Sequence, residues 1–193
     1  MKTTIKKTLL VALMFGTLLG YAKETTEPTN IVESKRVKVE FNAVKKGQTI
    51  TIKDENGITI YKNEIQKNGT YSKIFDLSAL KNGNYTAELN KDFEILIKSF
   101  SIKNNVVTFL GNTPKVFKPV VRTEDNMLLV SKIAFNNQSL KVVLYYEDDV
   151  IFTETLNGGS VLNRVYKLSE NYSGKYKVII YTDNRIYVND FKI

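Results

Sequence analysis

The residue types that most often carry catalysis and metal binding are missing from this chain of 193 residues, which contains no Cys and no His. Their absence excludes disulfides, thiolate and imidazole nucleophiles, the Ser-His-Asp triad, and zinc, haem and iron-sulfur sites in their common forms. An enzyme would have to use paired carboxylates. The candidates, Asp76, Asp92, Asp183 and Asp190, fall at predicted strand ends or turns with no evident cleft. We therefore expect no catalytic site and no cofactor.

Two acidic clusters could present oxygens to a cation, Asp54-Glu55-Asn56 and Glu147-Asp148-Asp149. Calcium takes about six to eight oxygen ligands, and successive residues of a strand or turn point in different directions. Short acidic runs with Asn are also typical of hairpin turns. The sequence therefore favours two hairpin tips, and no metal site is predicted.

The second half of the chain predicts a sheet with an apolar outer face. Alternation assigns these residues to the core: Val142, Leu144, Tyr176, Val178, Ile180, Ile186 and Val188. A period of two then turns their neighbours outward, namely Val143, Tyr145, Ile179, Tyr181 and Tyr187. The corresponding residues of the first half are mostly polar: Thr51, Lys53, Glu88, Asn90 and Leu96.

An exposed aromatic patch is typical of a ligand or protein interface, and Tyr suits glycans because its ring stacks while its hydroxyl forms hydrogen bonds. We predict that Tyr145, Ile179, Tyr181 and Tyr187 contact a ligand. The alternative is that this face packs against residues 104–126 or against the other half of the chain, in which case no ligand is needed.

Short strands dominate the chain from Arg36 onward. Val37, Val39 and Phe41 alternate with charged residues, which is the pattern of a half-buried strand. Similar runs follow at short intervals, separated by turn signals such as Asn68-Gly69 and Lys81-Asn82-Gly83. Many short strands joined by polar turns predict an all-β protein built as a sandwich.

The chain also repeats itself at an offset of 91 residues, without a gap from Ile60 to Ile102. Core positions recur while polar residues between them differ, as expected for two copies of one fold. The matched pairs include Gly83 with Gly174, Tyr85 with Tyr176, Leu96 with Tyr187 and Phe100 with Phe191. We expect both glycines at positive-φ turns, both tyrosines in the core, and β-bulges at Lys98-Ser99 and Asn189-Asp190.

The motif from Phe75 to Tyr85, FDLSALKNGNY, follows a hairpin sequence that begins at Asp54-Glu55-Asn56-Gly57. Together they resemble the immunoglobulin-like modules of exported Bacteroidota proteins, and are similar to the C-terminal sorting domains of the type IX (Por) secretion system. The resemblance covers about 55 residues of the first copy and, more weakly, the same stretch of the second. It implies two tandem immunoglobulin-like antiparallel β-sandwich domains, and it implies no catalytic residues.

The N-terminus predicts export. Lys2, Lys6 and Lys7 precede an apolar run from Leu9 to Leu19, and Gly20-Tyr21-Ala22 fits a cleavage site. The run is shorter than the roughly 20 apolar residues that span a bilayer, so no transmembrane segment is predicted. We divide the chain into a signal peptide (1–22), a polar leader (23–34), a first sandwich (35–103) and a second sandwich (104–193), with the boundary left open within 104–126.

Cleavage after residue 22 would leave 25 basic and 20 acidic residues, and the basic ones are dispersed among acids. Nucleic-acid binders concentrate their positive charge on one face, so no nucleic-acid partner is expected. The sequence predicts a periplasmic, cell-surface or secreted protein that is not an enzyme. Either it binds a protein or glycan, or it serves as a structural or secretion-sorting module without a ligand.

Overall fold

The computed structural model describes residues 36–112, 114–135 and 137–193, so the predicted signal peptide and leader lie outside the described residues. Within those ranges the chain forms antiparallel strands and no helix. Two separate hydrophobic cores lie along the chain, one built from residues 37–102 and the other from residues 128–180. The predicted fold class, all-β with two tandem immunoglobulin-like sandwiches, is confirmed.

The first sandwich packs a two-stranded sheet against a larger one. Its strands are β1 (Arg36–Val44), β2 (Thr49–Asp54), β3 (Thr59–Glu64), β4 (Gly69–Asp76), β5 (Gly83–Asn90), β6 (Glu94–Lys103), β7 (Val106–Phe109) and β8 (Lys115–Phe117). β1 pairs with β4, and the facing sheet has the order β3-β2-β5-β6-β7, with β8 also paired to β6.

The second sandwich repeats this plan. Its strands are β9 (Val120–Glu124), β10 (Met127–Ile133), β11 (Leu140–Tyr146), β12 (Asp149–Leu156), β13 (Val161–Lys167), β14 (Lys175–Thr182) and β15 (Arg185–Lys192). One sheet has the order β13-β10-β9 and the other β12-β11-β14-β15. β10 to β15 therefore occupy the places of β1 to β6, in agreement with the offset of 91 residues.

The open segment 104–126 divides between the two sandwiches. β7 and β8 hydrogen-bond to β6 of the first sandwich, whereas β9 pairs with β10 of the second. Backbone pairing thus moves the division from 103/104 to the two residues between Phe117 and Val120. β7 and β8 thus extend the larger sheet of the first sandwich, and β9 forms an edge of a sheet of the second.

A buried tyrosine closes the same corner in each copy. Tyr85 and Tyr176 are buried, as predicted, and the Tyr85 hydroxyl donates a hydrogen bond to the Lys81 carbonyl at 2.9 Å. The Tyr176 hydroxyl donates to the Tyr172 carbonyl at 2.8 Å. Each ring also stacks on a phenylalanine of the next strand, at centroid distances of 5.6 and 5.4 Å. This arrangement is the tyrosine corner typical of immunoglobulin-like sandwiches.

Three hairpins use two-residue turns with positive φ at both positions. They are Asn104-Asn105, Asp125-Asn126 and Asp183-Asn184, with φ between 45° and 67°. These are the dihedral angles of type I′ turns, which match the right-handed twist of paired strands. Asn and Asp tolerate this region better than other non-glycine residues.

The two predicted bulges are wrong. β6 pairs with β5 in continuous register from Ile95 to Ile102, and β15 pairs with β14 in continuous register from Arg185 to Lys192. Without a bulge, the parity set by Phe191 in the core extends along the whole of β15. Ile186 and Val188 therefore point outward, contrary to prediction, because Phe191 and Tyr187 face the core.

The glycine prediction is also wrong. Neither Gly83 nor Gly174 has positive φ. A Cβ on Gly174 would lie 2.7 Å from Glu147 Oε1 and 2.9 Å from the Tyr146 ring, whereas at Gly83 the nearest atoms would be 3.8 Å away. Gly174 is needed for close approach, and it leaves Glu147 Oε1 free to accept a hydrogen bond from the Lys175 amide at 3.1 Å.

These two equivalent glycines should respond differently to substitution. Gly83→Ala should leave the free energy of unfolding unchanged or raise it by about 0.5 kcal/mol, because the unfolded chain loses freedom. Gly174→Ala should lower it by about 1–3 kcal/mol, because the new methyl group displaces Glu147 and Tyr146. Urea unfolding of both variants would measure this difference. Equal effects in the two copies would contradict the close-approach explanation.

Candidate functional site

The outer face of the β12-β11-β14-β15 sheet carries a contiguous set of apolar side chains. Strand pairing places Val143 beside Ile179 and Ile179 beside Val188. In the next row outward, Tyr181 lies beside Ile186. Tyr145 lies two residues along β11 from Val143, on the same face. We call this set the apolar face: Val143, Tyr145, Ile179, Tyr181, Ile186 and Val188.

Exposure increases across the apolar face from the middle of the sheet to its β15 edge. Val143 is 7% exposed, Tyr145 and Ile179 are half-buried, and Tyr181 is 39% exposed. Ile186 and Val188, on the edge strand, are 64% and 52% exposed. The face therefore has a packed centre and an open, aliphatic margin.

Tyr187 does not belong to this face. It pairs with Ile180, which is fully buried, and its ring packs against the core of the second sandwich. Its hydroxyl is buried, and no group in the described residues forms a hydrogen bond with it. Burial raises the pKa of Tyr187. Of the four predicted ligand-contacting residues, Tyr145, Ile179 and Tyr181 lie together on the outer face, and Tyr187 lies on the opposite side of the sheet.

The equivalent outer face of the first sandwich is polar and contacts the second sandwich. Glu88 points outward from β5, yet its side chain is only 8% exposed. Lys53 of the neighbouring strand donates a hydrogen bond to Glu88 Oε2 at 2.8 Å. Arg185 of the second sandwich donates two, to Oε1 at 2.5 Å and to Oε2 at 3.1 Å. One carboxylate thus joins the two domains through a bidentate pair.

The charges around Glu88 lower its pKa. Burial acts in the opposite direction and would raise the pKa, but the hydrogen bonds and positive charges of Arg185 and Lys53 outweigh it. Because the pKa in the folded state is below that of an unfolded Glu, about 4.3, the ion pair contributes fully above that pH. Its contribution falls as the pH drops through the lowered pKa.

The turn that delivers Arg185 is itself anchored by a buried ion pair. Asp183, in the β14–β15 turn, lies 2.7 Å from Lys132 Nζ, and Lys132 is 2% exposed. Pairing is required here because an isolated charge at this depth would be strongly destabilising. The second sandwich therefore presents Arg185 to Glu88 from a fixed hairpin.

A cleft of about 650 Å³ lies beside this joint, between the outer face of the first sandwich and the β14–β15 hairpin. Its lining includes Lys53, Glu88, Lys118 and Arg185. These groups already have partners, since Lys118 Nζ donates a hydrogen bond to Asn90 Oδ1 at 3.0 Å. Burial lowers the pKa of Lys118. The cleft is therefore a polar joint between the domains. Outside its lining, Phe117 and Phe135 form a second contact between the domains, edge to face, with ring centroids 5.8 Å apart.

The candidate catalytic carboxylates lie at different places in the fold. Asp76 accepts a hydrogen bond from the Ser78 amide, Asp183 pairs with Lys132, Asp92 lies in the β5–β6 turn, and Asp190 is exposed on β15. The acidic turn at Asp54 is a hairpin tip, because its Oδ1 accepts hydrogen bonds from the amides of residues 56 and 58. Across the described ranges, no three carboxylates converge to hold a metal ion.

Sequence reasoning missed Ile186 and Val188 as members of the outer face, and it missed the Glu88–Arg185 contact. The internal repeat contains a signal that could have corrected the orientation of β15 and so placed Ile186 and Val188 on the outer face. Leu96, at the position equivalent to Tyr187, is the one apolar residue in an otherwise polar set, and it packs against the core of the first sandwich. No signal in the sequence links Glu88 to Arg185, which are 97 residues apart.

Residues 21–102 match a family described as a domain of unknown function, DUF3244. No curated protein matches the chain. Within the part of the chain that is described, no helix could span a membrane.

Several solved structures are similar at low identity. One is a biofilm-associated protein BSP domain, at 15% identity and a TM-score of 0.29, where the match covers 83% of this chain and 27% of that one. Another is native alpha-2-macroglobulin from Escherichia coli, spanning domains MG0-NIE-MG1, at 12% identity and a TM-score of 0.31, where the match covers 84% of this chain and 59% of that one. A third is the human OSCAR ligand-binding domain, at 11% identity and a TM-score of 0.27, where the match covers 86% of this chain and 95% of that one. This chain thus spans 27% of the length of the biofilm-associated protein chain and 59% of the length of the alpha-2-macroglobulin chain.

The inter-domain ion pair can be tested by Glu88→Gln, which keeps the shape of the side chain but removes its charge. Because the chain has no Cys, spin labels can be placed at Lys67→Cys and Lys167→Cys alone, one on each sandwich. Electron-spin distance measurements should give a narrow distribution in the parent and a broader one in Glu88→Gln. The same broadening should appear in the parent as the pH falls through the lowered pKa of Glu88, which lies below that of an unfolded glutamate.

Glu40→Gln is the matched control, because Glu40 pairs with Lys38 at 2.7 Å on the first sandwich and makes no contact with the second. It should leave the distance distribution unchanged at neutral pH. An unchanged distribution in Glu88→Gln would show that the orientation of the sandwiches does not depend on this ion pair.

Proposed function

We propose that this protein is a non-enzymatic, exported binding module whose apolar face contacts a partner protein. The observation that supports this is the difference between the two copies. The inner faces are alike, whereas the outer face of the first sandwich is polar and joins the second domain. The outer face of the second sandwich has large aliphatic side chains at its open margin, with Ile186 the most exposed of them.

A protein partner fits this face better than a glycan does. Glycan recognition relies on aromatic rings as stacking platforms, and the inward orientation of Tyr187 leaves Tyr181 as the most exposed ring of the apolar face. Protein interfaces instead combine an apolar centre with a polar rim. Here the margin includes Lys141, Lys177, Asp190 and Lys192, which point to the same side of the sheet as the apolar face.

A structural or secretion-sorting module without a ligand is the second candidate. The fixed joint at Glu88 and Arg185 supports it, because a spacer needs a defined orientation more than it needs an open surface. The similarity of residues 54–85 to type IX sorting domains supports it as well. On this proposal the chain leaves the cytoplasm through its N-terminal signal and functions in the periplasm, on the cell surface or outside the cell.

The binding proposal is tested by a double substitution on the apolar face, Tyr181→Ser with Val188→Ser. The immobilised mature chain should capture a surface or secreted protein of the producing cell, and the purified partner is then titrated against each variant. The double variant should weaken binding at least about tenfold, equivalent to about 1.4 kcal/mol, because it removes apolar area from the contact.

Ile74→Ser is the control, since Ile74 is an exposed aliphatic strand residue like Val188 but lies on β4 of the first sandwich. It should bind the partner as the parent does. Equal binding by the parent and the double variant would exclude the apolar face as the contact and would favour the structural module. A glycan array carried out in parallel would favour a saccharide ligand if a glycan binds and the double variant loses it.

A further inference from the structure

Edge strands differ in how well they are protected against pairing with another chain. Proteins commonly protect an edge with Lys, with Pro, or by keeping the strand very short. In the described part of the chain, two edge strands contain neither Lys nor Arg, and these are β7 and β12. β7 has only four residues, and its short length protects it against pairing with another chain, whereas β12 has eight residues.

β12 also exposes apolar side chains along its length. Val150, Ile151 and Phe152 are consecutive and all exposed, with Ile151 at 49%. A register shift between Leu144 and Tyr145 of β11 makes Ile151 the extra residue of a bulge. Within the strand, Glu154 is held by Arg164 and Tyr166 of β13. The backbone edge beyond these residues has no strand beside it.

The first copy has the protection that β12 lacks. The equivalent edge strand is β3, and Lys62 of β3 corresponds to Thr153 of β12 at the offset of 91. Ile60 corresponds to Ile151 and is exposed to a similar extent, 41%. The two edge strands thus hold the same place in the fold, have six and eight residues, and expose an isoleucine at the equivalent position. They differ at the position where a lysine would oppose pairing.

We propose that β12 is a self-association edge, at which a second copy of this chain adds its own β12 antiparallel to the first. The two four-stranded sheets would then form one continuous eight-stranded sheet around a two-fold axis. The occupant is a second β12 because the other edges longer than four residues carry Lys or Arg. Pairing of unlike edges would also leave free edges and produce open chains, whereas pairing of like edges closes.

The side-chain pattern of β12 is compatible with this pairing. Residues that face each other across an antiparallel pair lie on the same face of the sheet. A register centred on Thr153 places Phe152 opposite Glu154 of the second copy, and Ile151 opposite Thr155. In this register Glu154 lies opposite Phe152 and Asp149 lies opposite Asn157, so the two acids do not face each other across the axis. Like charges are therefore not opposed at the contact.

The first test is the state of association of the mature chain. Sedimentation velocity over a range of concentrations should show a reversible monomer–dimer equilibrium. Thr153→Lys, which installs the residue of the first copy, should raise the dimer dissociation constant at least about tenfold, because two lysines would meet at the axis. Ile60→Lys is the matched control on β3 and should leave the equilibrium unchanged. Circular dichroism and thermal unfolding confirm that each variant is folded.

A second measurement does not depend on loss of association. Opposed residues of an antiparallel pair have Cα atoms about 4.5–5.5 Å apart, which suits a disulfide. Thr153→Cys, in a chain that otherwise has no Cys, should form a disulfide-linked dimer on mild oxidation, whereas Lys62→Cys should stay monomeric.

Three results would overturn the proposal. The first is a parent chain that remains monomeric at every concentration. The second is a dimer that persists in folded Thr153→Lys. The third is a dimer abolished by Ile186→Ser but not by Thr153→Lys, which would place self-association on the apolar face instead. The dimer and the binding function are distinguishable, because Tyr181→Ser with Val188→Ser removes partner binding without touching β12.

Discussion

The structure depends on one constraint, which is that each sheet of a sandwich buries one face and leaves the other to solvent or to a partner. Because successive side chains of a strand alternate between faces, the residues that are buried determine which residues lie on the outer face. The two copies share their buried sets, down to the Tyr–Phe stack and the tyrosine corner. Their outer sets were free to diverge, and the differences between the copies are therefore where function is to be sought.

One of the outer faces is occupied within the chain itself. Glu88 would be costly to bury alone, and it is stabilised because Lys53 on its own sheet and Arg185 on the other domain both pair with it. Arg185 in turn depends on the β14–β15 turn, which the Lys132–Asp183 pair fixes inside the second sandwich. Two charge contacts at Glu88 and one in the turn that carries Arg185 therefore lie at the joint between the domains. The apolar face is the equivalent surface of the second sandwich, and its β15 margin is exposed.

Much of the fold could be predicted from the sequence, because alternation and the repeat at 91 residues act locally or along aligned strands. Fold class, the buried tyrosines and the hairpin tip at Asp54 all follow from such local signals. β15 shows where this reasoning fails. Ile186, Tyr187 and Val188 are all apolar, so alternation alone cannot tell which of them faces inward, and only pairing with β14 decides it. The ion-pair partner of Glu88, Arg185, could not be predicted from the sequence either, because the contact depends on how the two domains pack together.

The candidate site inherits the same limitation. Tyr145, Ile179 and Tyr181 were placed correctly on the outer face because β11 and β14 are central strands with buried neighbours on both sides. The edge strands β12 and β15 carry the more exposed apolar residues. Alternation does not assign their faces, because β12 contains a bulge at Ile151 and β15 contains three consecutive apolar residues, 186–188. Edges are also where another chain can add. If a second copy adds at β12, the two apolar faces lie on one continuous sheet, and a partner with two contact sites would bind both with a higher effective concentration than one face provides. On this arrangement, Thr153 at the position of Lys62 lets the second sandwich pair with a second copy, and the pair presents two apolar faces.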